Sequence, residues 1–312
     1  MTRQRLVFFG NERLATGTTT TTPVLRGLVA AGYEIAAVVV NHSQARSRRT
    51  RELEIETAAA ELGLSLLRPE RPADIIAELT ALEAPAAVLV AYGQIVPQAV
   101  IDIFPRGIIN LHPSLLPRHR GPVPLEAVLL AGEPTTGASV MQLARRMDAG
   151  PVLAQAQLAA PEQVSKQALA ELLLAAGRDL IIDKLPGILD GSAQPQPQDD
   201  AAATYDQLIA KADGLIDWSL PATVLERQIR AYLGWPGSRT TLCHTDVIIT
   251  AAHVGGNGHT ASLPYRPGQV FTDSHGELTV QTGAGLLMID RLKPAGGRDM
   301  DARAFIAGHP LG

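Results

Sequence analysis

The sequence predicts an α/β fold, an open and mostly parallel sheet with helices on both faces, followed by a small β-barrel. Three observations carry this. Short apolar runs alternate with helical spacings through the first half of the chain. Those runs are nearly continuous in Val, Ile, Leu and Ala, as strands covered on both faces require. Beyond residue 206 the pattern changes to short alternating runs between glycine-rich turns, the spacing of an antiparallel barrel.

Taken in order, residues 5–9 (RLVFF) form a strand that stops at Gly10. Thr22 followed by Pro23 reads as a helix cap with proline at the first helical position, and Gly32 as its stop. Residues 34–40 (EIAAVVV) are the second strand, 51–62 a helix, 64–67 extended and 73–82 a helix. Residues 86–90 (AAVLV) and 107–112 (GIINLH) complete five strand candidates, a Rossmann-like alternation. In such sheets ligands bind beyond the carboxyl ends of the strands. Residues 137–143 (GASVMQL) and 152–158 add a hairpin, and 165–189 has the Leu, Ile and Ala spacing of a long helix. Alternating Gln and Pro in 190–206 cannot continue that helix, and the segment is expected to bury nothing and act as a linker. A helix over 221–233, short strands at 238–243, 246–253, 268–272, 277–281 and 286–292, and a closing helix over 301–307 follow. The expected domains are therefore residues 1–189 and 207–312, the second an OB-like barrel.

Composition sets the broad class. Of 312 residues, 46% are hydrophobic and 19% charged, the balance of a folded globular protein. The net charge of −4 argues against a surface that grips nucleic acid all over and leaves room for a local basic patch. One cysteine, Cys243, fits a reducing compartment. The N-terminal apolar run is too short for a secretory signal, and no run approaches the ~20 residues of a membrane span, so a cytoplasmic protein is expected.

The stretch GIINLHPSLLPRHRGPVP (107–124) carries the chemistry. Side chains two apart on a strand point the same way, so Asn110 and His112 share a pocket while Ile109 and Leu111 face the other side. Asp148 sits in the turn RRMDAG, and an edge hairpin beside the fifth strand would bring it next to His112. A carboxylate there would favour a charged imidazole and fix its tautomer, and an imidazolium beside an amide suits a developing oxyanion or a proton shuttle. A His at a strand end is, taken alone, more often structural. Asn is a poor zinc ligand and the HxxEH spacing is absent, which weighs against the zinc reading without closing it. No GxSxG elbow is present, and the first strand ends in GNER rather than GxGxxG. The residues by themselves support acyl-transfer or carbonyl chemistry and no finer reading.

The run NLHPSLLPRHRGPVP, followed by AG, TGASVMQL and DAG, resembles the signature of the folate-dependent formyltransferases. VLVAYGQIVPQAVID upstream, and KADGLIDWSLPATVLERQIRAYLGWPGS and LKPAGGRDMDARAFIAGHP downstream, extend the resemblance toward the tRNA-formylating branch over nearly the whole chain. The resemblance implies Asn110, His112 and Asp148 as the catalytic set. It implies N10-formyltetrahydrofolate as formyl donor and no metal, with Ser114, Leu115, Leu116 and Pro117 lining the folate site. Tyr92, Gly93, Gln94 and Ile95 match the segment whose backbone recognises the pterin. It implies initiator methionyl-tRNA as the acceptor, with Arg46, Arg48, Arg49 and Arg51 facing the tRNA; Lys211 and Arg230 are expected either to face the tRNA as well or to form surface salt bridges. A monomer is expected.

Three places depart from the pattern. The first turn, FFGNERLATGTTTTTPVL, is longer than usual; the basic loop NHSQARSRRTRELE is shorter; and MDAGPVL differs from the common Asp-x-Gly-Asp form. Formyl transfer to an amino-sugar nucleotide is the nearest rival reading, followed by formyltetrahydrofolate hydrolysis and by an inactive tRNA- or folate-binding module. An isolated arginine run is as readily a solvated helix start, although arginines are disfavoured in a helix's first turn.

Overall fold

A computed structural model describes residues 4–41, 53–255 and 266–309. The first sheet has seven strands in the order β3-β2-β1-β4-β5-β6-β7. These are β1 (Arg5–Gly10), β2 (Glu34–Val39), β3 (Leu66–Leu67), β4 (Ala86–Val90), β5 (Ile108–His112), β6 (Thr135–Gln142) and β7 (Val152–Ala159). Strands β1 to β5 pair in parallel, whereas β6 and β7 add an antiparallel edge hairpin. Strand order reverses between β1 and β4, and Gly10 closes β1 there. A Cβ at Gly10 would lie 1.8 Å from the Val90 carbonyl oxygen, and its φ of 123° also belongs to glycine.

Helices α1 (Pro23–Ala30), α2 (Glu54–Glu61), α3 (Ile76–Ala81), α4 (Gln98–Ile101), α5 (Pro124–Ala131) and α6 (Lys166–Asp190) follow in chain order. Every residue of β5 is buried, and its two faces meet different neighbours. Ile108 joins a core with Val7, Phe9, Leu79, Leu89 and Val100. Leu111, on the opposite face, packs on α6 where Gly177 leaves room; a Cβ there would come within 2.4 Å of its methyl group. Ser165 caps α6, accepting from the Ala168 N–H at 3.1 Å.

Three expectations change. Thr22 stands before α1 but has a left-handed φ of 54° and makes no side-chain cap. The Glu12 carboxylate replaces it, accepting from the N–H groups of Val24 at 2.9 Å and Leu25 at 2.8 Å. Helix α5 was not anticipated, because the prolines around it read as loop; Pro124 instead occupies its first turn. Residues 190–206 contain no buried residue, as expected, but they are fastened down rather than a loose linker. Gln196 and Val152 exchange backbone hydrogen bonds at 2.7 and 2.8 Å, and Arg120 exchanges two more with Thr204 and Asp206 at 2.9 and 2.8 Å. Gln and Pro make no helix, but their backbone groups still find partners along a sheet edge and a loop.

By contacts, Met1–Leu125 with Glu133–Leu208 is one compact unit, and Glu126–Gly132 with Ile209–Gly312 is another. The second unit carries α7 (Ala222–Ala231), β8 (Ser238–Leu242), β9 (Thr245–Val254), β10 (Val270–Thr272), β11 (Leu278–Gln281), β12 (Leu286–Pro294), β13 (Met300–Asp301) and α8 (Ala302–Gly308). Its antiparallel sheet runs β10-β11-β12-β9-β8, with β13 beside β12, and is the expected C-terminal β domain. Leu225 and Ile229 of α7 and Phe305 of α8 pack on its apolar face with Val247, Leu287 and Leu292. Among the described residues no helix is long and apolar enough to cross a membrane.

Candidate active site

Strand β5 delivers Asn110 and His112 at its carboxyl end, both on the face that Ile108 shares with the core and both nearly buried. The β6–β7 hairpin delivers the third group. His112 is opposite Ser139 in the antiparallel register of β5 and β6, and the hairpin turn beyond Gln142 returns Asp148 to the end of β5. Gly150 allows this turn, since a Cβ there would sit 1.8 Å from the Gln142 carbonyl oxygen. Asp148 itself holds a left-handed φ of 49°, uncommon for a residue with a side chain.

His112 Nδ1 lies 3.7 Å from Asp148 Oδ1, an ion-pair separation longer than a hydrogen bond. The other ring nitrogen is committed: His112 Nε2 donates to the His119 carbonyl at 2.7 Å. A carbonyl only accepts, so Nε2 carries a proton and Nδ1, facing Asp148, is the nitrogen that exchanges one. Asp148 Oδ2 accepts from the Gly121 N–H at 2.8 Å. The three predicted catalytic residues are thus brought to one place by two independent elements, with an amide, an imidazole and a carboxylate available to bind charge and relay a proton.

The loop after β5 is held from below. The wholly buried Ser114 donates from Oγ to the Arg118 carbonyl at 2.7 Å, so its hydroxyl shapes the loop. Leu116 donates its N–H to Ser139 Oγ at 3.0 Å and accepts at its carbonyl from Gln155 Nε2 at 2.8 Å. Pro117 accepts from the Thr204 N–H at 3.3 Å. Leu115 lines a small cavity of about 110 Å³ with Arg118, His119, Glu133, Thr135, Thr136 and Gln157.

The segment after β4 also has fixed geometry. The Tyr92 ring is buried edge-on against Phe9, with centroids 5.4 Å apart, and burial pushes its phenol up to about 12. Its side chain therefore belongs to the core. Gly93 has a φ of 76°. Gln94 donates from Nε2 to Asn41 Oδ1 at 2.7 Å and to the Glu70 carbonyl at 3.1 Å, which anchors the segment. Ile95 stands 81% exposed, an open apolar surface beside the strand ends.

Residues the sequence reading missed complete the surroundings. His119 sits between two carboxylates, with Nε2 3.2 Å from Glu133 and Nδ1 3.2 Å from Asp206. Its N–H donates to Thr204 Oγ1 at 2.8 Å, fixing the carbonyl that His112 uses. Arg120 is wholly buried. Its guanidinium reaches Gln198 Oε1 at 2.8 and 3.0 Å, Asp200 at 2.8 Å and the Tyr205 hydroxyl at 2.7 Å. Arg146 joins from outside, donating to Asp200 at 2.7 Å and Tyr205 at 2.8 Å. Those hydrogen bonds, Arg146 first and Arg120 second, hold the Asp200 carboxyl below its usual range and lower the Tyr205 phenol as well. The available signal was two basic residues, HR, inside the proline-bounded loop; nothing local ties them to a segment some eighty positions away.

The residues assigned to tRNA divide. Arg46, Arg48, Arg49 and Arg51 lie outside the described residues. Lys211 is exposed at a short 3-10 turn, Lys211–Gly214. Arg230 is partly buried on α7 and is paired with Glu226 at 2.5 Å. Among the described residues no group of His, Cys, Asp and Glu is arranged to hold a metal ion.

Residues 7–185 match the formyl transferase family, and residues 208–310 match the formyl transferase C-terminal domain. The chain is 38% identical over 309 residues to the methionyl-tRNA formyltransferase of Chloroflexus aggregans, covering 97% of each. It is 36% identical over 311 residues to that of Ruegeria pomeroyi, covering 98% of each. Among solved structures it resembles HypX from Aquifex aeolicus, in complex with tetrahydrofolic acid, with a TM-score of 0.67 and 14% identity, over 99% of this chain and 48% of that one. The N-formyltransferase from Helicobacter canadensis has the same TM-score of 0.67 and 14% identity, over 96% of this chain and all of that one (100%). Those two likenesses are of fold. The fold, the placement of Asn110, His112 and Asp148, and the full-length relatives lead to one assignment: the chain belongs to the formyl transferase family.

Proposed function

We propose that this protein transfers the formyl group of N10-formyltetrahydrofolate to the α-amine of methionine esterified to initiator tRNA. The observation that carries the reading is the approach of His112 Nδ1 to Asp148 Oδ1, 3.7 Å apart at the end of the strand that also presents Asn110. Full-length relatives named methionyl-tRNA formyltransferase supply the choice of substrates.

The amine attacks the formyl carbon, forming a C–N bond as the carbonyl π pair moves onto oxygen. The Asn110 amide and the protonated His112 stabilise that oxyanion, with Asp148 balancing the imidazolium charge. Return of the oxygen lone pair breaks the bond to N10. His112 Nδ1 gives its proton to the departing N10 and then takes the proton that the amine loses, so the imidazolium is restored as tetrahydrofolate leaves. Folate lies along the backbone of 92–95 and the loop of Ser114, Leu115, Leu116 and Pro117, whose internal hydrogen bonds reduce the cost of ordering it. Arg46, Arg48, Arg49 and Arg51 contact the acceptor arm, with Lys211 as a further phosphate contact; Arg230 acts there only if it leaves Glu226. On this reading the protein works as a cytoplasmic monomer at translation initiation.

The test is a direct assay of purified protein with N10-formyltetrahydrofolate and, in parallel, methionyl-tRNA, amino-sugar nucleotides or water as acceptor. Formyl-methionyl-tRNA as the dominant product is expected. Formylated sugar, or tetrahydrofolate and formate without an acceptor, would replace this reading.

A further inference from the structure

The segment that follows α6 does more than lead to the C-terminal strands. Gln198 bridges a buried cation and the turn that carries Asp148. Its amide orientation follows from its partners, because Arg120 can only donate and backbone carbonyls can only accept. Oε1 therefore takes the Arg120 Nε and Nη2 donors at 3.0 and 2.8 Å. Nε2 donates to the carbonyls of Asp148 at 2.8 Å and Gly150 at 2.6 Å. The residue next to Arg120, Gly121, donates to the Asp148 carboxylate itself. Asp148 is thus gripped at its backbone and its side chain by groups that converge on Arg120.

This grip has a job, because Asp148 is in an unfavourable place. Its φ of 49° is a conformation that a non-glycine residue leaves unless its surroundings hold it. Its gap to His112 is 3.7 Å, so a small rotation of the turn opens or closes the pair. A hydrogen-bonded clamp on the carbonyls of Asp148 and Gly150 limits that rotation.

We propose that Gln198, held by the buried Arg120, is a positioning residue that sets Asp148 against His112. It touches no substrate, and the inference rests on the reading that Asp148 serves formyl transfer. Only glutamine or a close equivalent satisfies both sides. Alanine removes all four hydrogen bonds. Glutamate keeps the Arg120 pairing but turns a carboxylate oxygen toward two carbonyls.

The experiment is a double-mutant cycle by steady-state formylation of methionyl-tRNA with Q198A, Q198E, D148N and Q198A/D148N in the full chain, with a thermal melt of each variant. Q198A and Q198E should both lower kcat about 10- to 100-fold, the range a displaced catalytic group produces. KM for formyltetrahydrofolate should stay within about twofold of the parent value. Q198A/D148N should be no slower than D148N, since the clamp then has nothing to position. If Q198A is unfolded at the assay temperature, Q198E, which retains the Arg120 pairing, is read in its place. Equal losses from the Gln198 change in both backgrounds, or full activity in Q198E, would overturn the proposal with Asp148 still implicated. Parent-like turnover by D148N would overturn the role of Asp148, a result separate from any effect of Gln198.

Discussion

His112 has one nitrogen tied to the chain and one free to work. With Nε2 donating to His119, only Nδ1 can exchange a proton, and it faces Asp148. His112→Ala should cut kcat by about 10²- to 10⁴-fold, the usual worth of a positioned acid–base group. Folate affinity, measured by fluorescence titration, should stay unchanged, because the loop that would hold folate is fastened by Ser114, Ser139 and Gln155. Loss of both would mean that His112 builds the pocket. This pair was legible in the sequence because period-two alternation puts Asn110 and His112 on one face wherever the strand lies. Glu12 was not legible. It is fully buried, and burial raises its carboxyl to about 7, outweighing the Leu25 and Val24 N–H bonds that act to lower it. A raised acid means that the folded chain binds a proton the unfolded chain has lost between pH 4.5 and about 7. Stability should therefore fall as pH rises through that window, by about 3 kcal/mol more in the parent than in Glu12→Gln. Urea unfolding at several pH values checks this, and parallel curves would contradict it.

Elements place the site, and β5 shows how. Its even face ends in Asn110 and His112, while its odd face rests on α6 through Leu111 and Gly177. Adding a methyl group at Gly177 pushes on Leu111 and, through it, on the strand. Gly177→Ala should destabilise the protein by about 1–3 kcal/mol despite the better helix propensity of alanine, as overpacking does. An unchanged urea midpoint would show that the helix yields without cost. The strands were readable because parallel strands buried on both faces leave continuous apolar runs, as in AAVLV and IINLH. The Asp148 hairpin was readable too, from alternation and a glycine-bearing turn. Helix α5 hid behind its prolines, and residues 196–206 hid because their attachments are backbone and polar. Gln198 meets its partners through distant pairings that leave no periodic trace.

At the scale of the molecule, a net charge of −4 opposes a polyanion, so tRNA affinity has to come from local clusters. Replacing Arg46, Arg48, Arg49 and Arg51 with alanine should raise KM for methionyl-tRNA far more than KM for folate. It should also flatten the salt dependence of tRNA binding by about 0.7–0.9 in log–log slope for each phosphate no longer neutralised. Filter binding over a salt series measures the slope, and an unaltered slope would remove these arginines from the interface.

The docking of residues 196–206 also relocates the place where this polypeptide can be opened. Sequence composition would direct a protease site or an inserted tag to the Gln-Pro repeat, yet that stretch pairs with Val152 and carries the glutamine that brackets Asp148. The next exposed positions, Gln207 and Leu208, follow the last backbone bond to Arg120. A fragment trimmed at Leu189 would lack Gln198, Thr204 and Asp206, whereas one ending at Leu208 would keep all three.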